Sequence, residues 1–141
     1  MIAVLDVSAS IDVVLHKDSC KEFSEVIEFS EVIENADVVI APEIYISEIT
    51  NVAWKYHRLA NYSHKQSSDL AETGILIIDK YVSVADLWKE ALHEAILNDH
   101  SVYDLLYLVC ARRSDGILLT RDRKLIHLCD ELHVQTLQQS D

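Results

Sequence analysis

The chain has 141 residues, half of them apolar, with two glycines, one proline and three cysteines. That suits one domain spanning 1–141 with a sizeable core, and excludes a disordered, low-complexity or disulfide-scaffold protein. A formal charge of −12, from 12 basic and 24 acidic residues, argues against nonspecific coating of nucleic acid or an anionic membrane.

Met1 to Ser10 lacks the basic start and long apolar stretch of a secretory signal, and no segment is long enough to cross a bilayer. Cys20, Cys110 and Cys129 are odd in number and lack CxxC spacing, which predicts reduced thiols in the cytoplasm. The charge is uneven. Residues 55–65 carry Lys55, Arg58 and Lys65 with no acid, and residues 112–124 carry five cations against Asp115 and Asp122. Such clusters usually form solvated faces.

Along the chain, "IAVLD" reads as a short strand ending on an acid, and "SASIDVVLH" as a short helix. "SCKEFSEVIEFSEVIEN" opens with Ser19 and Glu22 at capping-box spacing and contains EFSEVI twice. Six residues make about 1.7 helical turns, so the two copies face different directions. This predicts one helix or two short ones, with a solvated row at Glu22, Glu25, Glu28, Glu31 and Glu34. A partner-binding groove is the alternative.

"DVVIAP" reads as the second strand, and Pro42 as the opening residue of a helix, where its missing N–H costs nothing. Tyr45, Ile46, Ile49, Val52, Ala53 and Tyr56 form the apolar stripe of that helix, with Glu48 at its edge. A helix over His64–Ile77 follows, with Gly74 as its weak point. "KYVSV" is a third strand, before a helix over Ala85–Leu97 capped by Ser83 and Asp86. The stretch "HSVYDLLYLVCARR" forms the next helix, then "GILLT" a strand, a helix after Asp122, and a last strand near "HVQTL". Strands alternating with helices predict an α/β fold: an open, mainly parallel five-stranded sheet flanked by helices on both faces.

Four carboxylates share one kind of place. Asp6 ends the first strand, Glu48 lies about two turns into the helix after the second, Asp104 opens an apolar helix, and Asp122 follows "GILLT". Strand C-termini and the starts of following helices share one edge of a parallel sheet, where ligands bind. Like charges about 4 Å apart repel by roughly 4 kcal/mol at a surface-like dielectric, so such a cluster holds protons or a cation. Oxygen-only ligands favour Mg²⁺ or Mn²⁺ and metal-assisted hydrolysis. Singly, each acid has a local explanation. Ser101-x-x-Asp104, Ser83-x-x-Asp86 and Ser19-x-x-Glu22 have capping-box spacing, Asp122 is a good N-cap, Asp6 suits a strand-end turn, and Glu48 an exposed helix face.

The blocks "VLDVSAS", "APEIYISEITNVAWK", "HSVYDLLYLVCAR" and "LLTRDRKL" resemble, in that order, the four signature blocks of the PIN domain. The likeness is to the small VapC-type toxins of type II toxin–antitoxin pairs, and it covers essentially the whole chain. Each block is weak alone; together, at this spacing, they are fairly specific. The resemblance implies that Asp6, Glu48, Asp104 and Asp122 bind Mg²⁺ or Mn²⁺ and drive endonucleolytic cleavage of RNA. Ser8 matches the small hydroxyl residue after the first acid, Asn51 the E-x-x-N position, and Thr120 the T-x-D turn. All three would orient the acids. Leu105 replaces a small residue common after the third acid, and the net charge is unusual for an enzyme that cuts RNA.

On that resemblance Asp104 can open an apolar helix because that helix end faces an acidic pocket, where the N-terminal dipole also favours negative charge. Lys55, Arg121 and Arg123 flank the acids and are candidates to hold the RNA backbone. A homodimer and a cognate antitoxin, whose tail enters the acidic groove with a basic side chain, are also implied. A noncatalytic PIN-like module that binds RNA or protein is the alternative.

A phosphoryl-transfer enzyme or receiver domain fits poorly: Ser8 stands where a D-x-D motif needs its second acid, and "GILLT" leads to Arg121 and Asp122 rather than a lysine. His57, His64, His93, His100, His127 and His133 have no zinc-ligand spacing. Cys110 reads as core. Of Trp54, Tyr56 and Tyr62, at least two are expected to pack rather than stack on bases.

Overall fold

The computed structural model describes residues 1–16 and 24–137. The chain runs through β1 (Ile2–Leu5), α1 (Val7–His16), α2 (Ser24–Asn35), β2 (Val38–Pro42), α3 (Ile44–Leu59) and α4 (His64–Ile77). It continues through β3 (Lys80–Val82), α5 (Val84–Asn98), α6 (Val102–Ser114), β4 (Ile117–Leu119), α7 (Arg123–Glu131) and β5 (Gln135–Thr136). The strands form one sheet in the order β3-β2-β1-β4-β5, with all four pairings parallel. Helices cover both faces. The Ser19–Glu22 capping box and Cys20 lie outside the described residues, as does the start of the first EFSEVI copy.

Central strands buried on both sides must be apolar throughout. Ala3, Val4 and Leu5 of β1 and all of β4 are accordingly buried. The same logic explains α6. Leu105 to Ala111 are all buried, because this helix lies across β1, β2 and β4 while α5 and α7 pack on it; a helix apolar all round belongs inside. On α2, Phe29 is fully buried while Glu28, Glu31 and Glu34 stand in solvent. That is the expected solvated row, as far as it is described.

Three local expectations are corrected. Pro42 does not open a helix: it closes β2, paired with Val82, and Glu43 is the N-cap of α3. Both places tolerate a missing N–H, and the end of a strand satisfies proline as well as the start of a helix does. Ser83 and Ser101 cap their helices alone, each accepting a backbone N–H two residues on, from Ala85 and Tyr103. Neither Asp86 nor Asp104 reaches back to complete a box; the reciprocal box is Ser63 with Gln66, at the start of α4. In α3 the buried stripe is Tyr45, Ile49 and Ala53, whereas Ile46 is exposed.

Two glycines suffice because other residues make the left-handed turns. Asp99 and Asp115 end α5 and α6 with φ of 49° and 52°, a conformation short polar side chains tolerate.

Gly74 is a contact point and not a break. The Tyr45 hydroxyl, itself 2.6 Å from Ser10 Oγ, donates to the Gly74 carbonyl at 2.7 Å, and a Cβ on Gly74 would lie 2.0 Å from Ile49 Cδ1. Tyr45 and Ile49 are fully buried, so little room exists for Ile49 to yield. Overpacking of about 1–3 kcal/mol outweighs the roughly 1 kcal/mol that alanine gains in a helix interior. Gly74→Ala is therefore expected to lose about 1 kcal/mol of stability by urea denaturation; an unchanged midpoint would contradict this close approach.

Candidate active site

Asp6 follows the last residue of β1 and is only 8% exposed. A carboxylate there needs donors, and the fold brings them from two connections. Ser8 donates to Oδ1 at 2.6 Å, the Ala9 N–H to the same oxygen at 3.2 Å, and Thr120 to Oδ2. Ser8 Oγ also accepts the Arg121 N–H, and Thr120 Oγ1 the Asp122 N–H. The β1–α1 and β4–α7 turns are thus tied together around one carboxylate. Burial nevertheless pushes Asp6 up to about 6, against the pull of those hydrogen bonds, and Glu48 adds to the rise.

Glu48 sits in the second turn of α3, where Oε1 accepts the Tyr107 hydroxyl at 2.6 Å. Burial raises its pKa above the usual range, and the charge of Asp104 adds to the effect. Asp104, in the first turn of α6, is raised by burial and then by Asp122. His100 Nδ1, 3.6 Å from Asp104 Oδ2, opposes that rise. This nitrogen is buried and makes no hydrogen bond among the described residues. Asp122 is the N-cap of α7, its Oδ1 accepting the N–H groups of Lys124 and Leu125.

The four acids are therefore neighbours in an electrostatic chain: Asp6 feels Glu48, Glu48 feels Asp104, and Asp104 feels Asp122. Ser8 and Thr120 hold Asp6. Asn51 stands exposed one turn beyond Glu48, and the group that bonds Glu48 is Tyr107, which sequence reasoning missed. Its only sequence signal is a lone hydroxyl in the apolar run, one turn after Asp104.

The basic stretches are largely committed elsewhere. Arg112 pairs with Glu90 and Glu94, and Arg113 with Glu90, pinning α6 to α5. Lys65 pairs with Asp69, and Arg121 with Asp12. Lys55 lies exposed two turns along α3 from Glu48, and Arg123 is exposed at the start of α7. Tyr56 and Tyr62 pack together with ring centroids 5.1 Å apart, whereas Trp54 is half exposed beneath Arg58. Cys110 and Cys129 are buried and free. His100 is half buried and the other five histidines considered are exposed.

Among the described residues no three His, Cys, Asp or Glu side chains close on a common point as a ready-made metal cage. The donor set still fits a hard divalent cation, because Mg²⁺ commonly takes one or two carboxylates and keeps several waters. Three carboxylates raised by burial, each with a smaller contribution from a neighbouring acid, are also what a cation would relieve.

The family model described as the PIN domain matches residues 3–131. Three solved structures share the fold. PAE2754 from Pyrobaculum aerophilum has a TM-score of 0.69 at 22% identity, covering 90% of this chain and 78% of its own. FitAcB from Neisseria gonorrhoeae has a TM-score of 0.60 at 15% identity, covering 96% of each chain. VapBC2 from Rickettsia felis, bound to a DNA fragment from its promoter, has a TM-score of 0.58 at 14% identity, covering 91% of this chain and 92% of its own. No curated protein matches the chain.

Proposed function

This chain belongs to the PIN domain family, and on that premise we propose that it is a Mg²⁺- or Mn²⁺-dependent endoribonuclease, the toxin of a toxin–antitoxin pair. One observation carries the proposal: four carboxylates from four separate parts of the chain are linked pairwise by their charges, and three of them have pKa values raised chiefly by burial. Such an arrangement costs stability without a cation, and local contacts account fully only for Asp122, the N-cap of α7. Asp104 completes no capping box, and Asp6 is buried well beyond what a turn requires.

Asp6, Glu48 and Asp104 are the main ligands in this reading, with Asp122 completing the pocket through Oδ2, which has no hydrogen-bond partner among the described residues. These residues would hold a divalent ion that would supply a water of lowered pKa and neutralise charge on the scissile phosphate. The chain itself orients the site. Ser8 and Thr120 fix both oxygens of Asp6, and Asn51 faces solvent one turn past Glu48, within reach of an incoming ligand. Lys55 and Arg123 offer exposed cations to the RNA backbone, and Arg121 joins them by exchanging Asp12 for a phosphate oxygen.

The likeness to VapBC2 and FitAcB supports a cognate antitoxin partner, and a chain of net charge −12 suits a basic one. A homodimer acting in the cytoplasm completes the reading. Among the described residues no helix is long and apolar enough to cross a membrane.

The binding-only module is the second reading, favoured by the commitment of Arg112, Arg113 and Arg121 to acids of the chain itself. Mn²⁺ separates the two. A ligand that binds only the folded state at about 100 times its Kd adds roughly 2.7 kcal/mol of stability. The nuclease is expected to show this rise in melting temperature and to cut RNA in Mn²⁺ but not in EDTA. No thermal shift would favour the binding module, and cutting undiminished by EDTA would remove the metal mechanism.

A further inference from the structure

Tyr107 is 3% exposed, lies on α6 one turn after Asp104, and donates a 2.6 Å hydrogen bond to Glu48, a residue 59 positions away on α3. An all-apolar helix face would pack against the sheet without a hydroxyl, so the phenol needs a reason. Buried phenols find acceptors, and the acceptor here is one of the four clustered acids. Among the described residues Glu48 Oε2 has no hydrogen-bond partner.

We infer that Tyr107 is a positioning residue for the divalent-cation site: its hydroxyl clamps Glu48 Oε1 so that Oε2 is presented to the ion beside Asp104. This inference rests on the metal-dependent reading above. Two features support it beyond simple packing. Asp104 and Tyr107 occupy successive turns of one rigid helix, so the bond fixes Glu48 relative to Asp104 through helix geometry and not through a loop. The bond is a charge-assisted one to a carboxylate, the strong and directional kind. Without the clamp, Glu48, repelled by Asp6 and Asp104, has every reason to swing toward solvent, since it is only partly buried.

The test compares Mn²⁺ affinity in the whole protein, read by a thermal-shift titration, for wild type and Tyr107→Phe. Loss of a group that orients a ligand typically weakens metal binding by about 10–100-fold. Tyr107→Phe is expected to need that much more Mn²⁺, to melt close to wild type in EDTA, and to recover most of its RNA cleavage at saturating Mn²⁺. A residue that matters only for packing would instead lower the EDTA melting point and leave the Mn²⁺ midpoint alone.

Glu48→Gln supplies the second arm. In that background Tyr107→Phe should cause little further loss of Mn²⁺ affinity, because the two act through one contact. Unchanged affinity in Tyr107→Phe, or full additivity with Glu48→Gln, overturns the positioning role and leaves the nuclease reading standing. A wild-type protein that binds no Mn²⁺ overturns both.

Discussion

Asp6→Asn is expected to reduce metal-dependent RNA cleavage by at least roughly a hundredfold while the fold persists. The two side chains have the same shape. An asparagine oxygen can still accept from Ser8 and the Ala9 N–H, and its amide can donate to Thr120 Oγ1, the atom that donates to Asp6 in the native chain. Each of these groups keeps a partner and only the Thr120 hydroxyl proton loses its acceptor, so most of the usual penalty for breaking a buried network is avoided. What disappears is the charge that a cation needs.

The same substitution should stabilise the protein in EDTA near neutral pH. Asp6 titrates at about 6 in the folded chain against a normal value of 3.8, and every tenfold change in proton affinity corresponds to about 1.4 kcal/mol. Removing that buried charge is therefore worth about 3 kcal/mol at most. An RNA cleavage assay and urea denaturation in EDTA read the two effects. Full cutting by Asp6→Asn would remove Asp6 from the site.

The metal-free protein is also expected to lose stability as pH rises from about 4 to about 7. Asp6 has a folded pKa above its unfolded one, so between those values the folded state binds more protons than the unfolded state. Stability must then fall with rising pH across the window, by up to about 3 kcal/mol from Asp6 alone. Glu48 and Asp104 shift in the same direction and add smaller amounts, being only partly buried.

Mn²⁺ should reverse the trend. Protons and the cation compete for the same carboxylates, so the Mn²⁺-induced rise in melting temperature should be large near pH 8 and small near pH 5, where Asp6 is mostly protonated in the folded chain. Melting curves in EDTA and in Mn²⁺ across that range measure both slopes. A metal-induced shift of equal size at the two ends would show that the ion binds away from these acids.

Much of the architecture is legible in the sequence because it is written in local patterns. Unbroken apolar runs mark β1, β4 and α6, and polar–apolar switches mark where each ends. An acid just past a strand can be placed at the sheet's ligand-binding edge without coordinates, since chain direction in a parallel sheet decides it. Asp6 and Asp122 are readable on that ground, whereas Ser8 and Thr120 are marked by the resemblance to the PIN signature blocks. Pro42 is misleading because two neighbouring structures tolerate a missing N–H equally well, and the pairing with β3 that chooses between them is a long-range contact.

The sequence by itself determined the succession of strands and helices and the burial of α6, and it nominated four acids for one edge of the sheet, since these depend on composition and spacing within a few residues. Only the tertiary structure decided how those acids are held and which cations remain available. The Tyr107–Glu48 bond, the Arg121–Asp12 pair and the pinning of Arg112 and Arg113 to α5 each join residues 18 or more positions apart. Such partners are chosen by how helices pack against a shared sheet, and helix periodicity along one segment carries no record of what the next will bring against it.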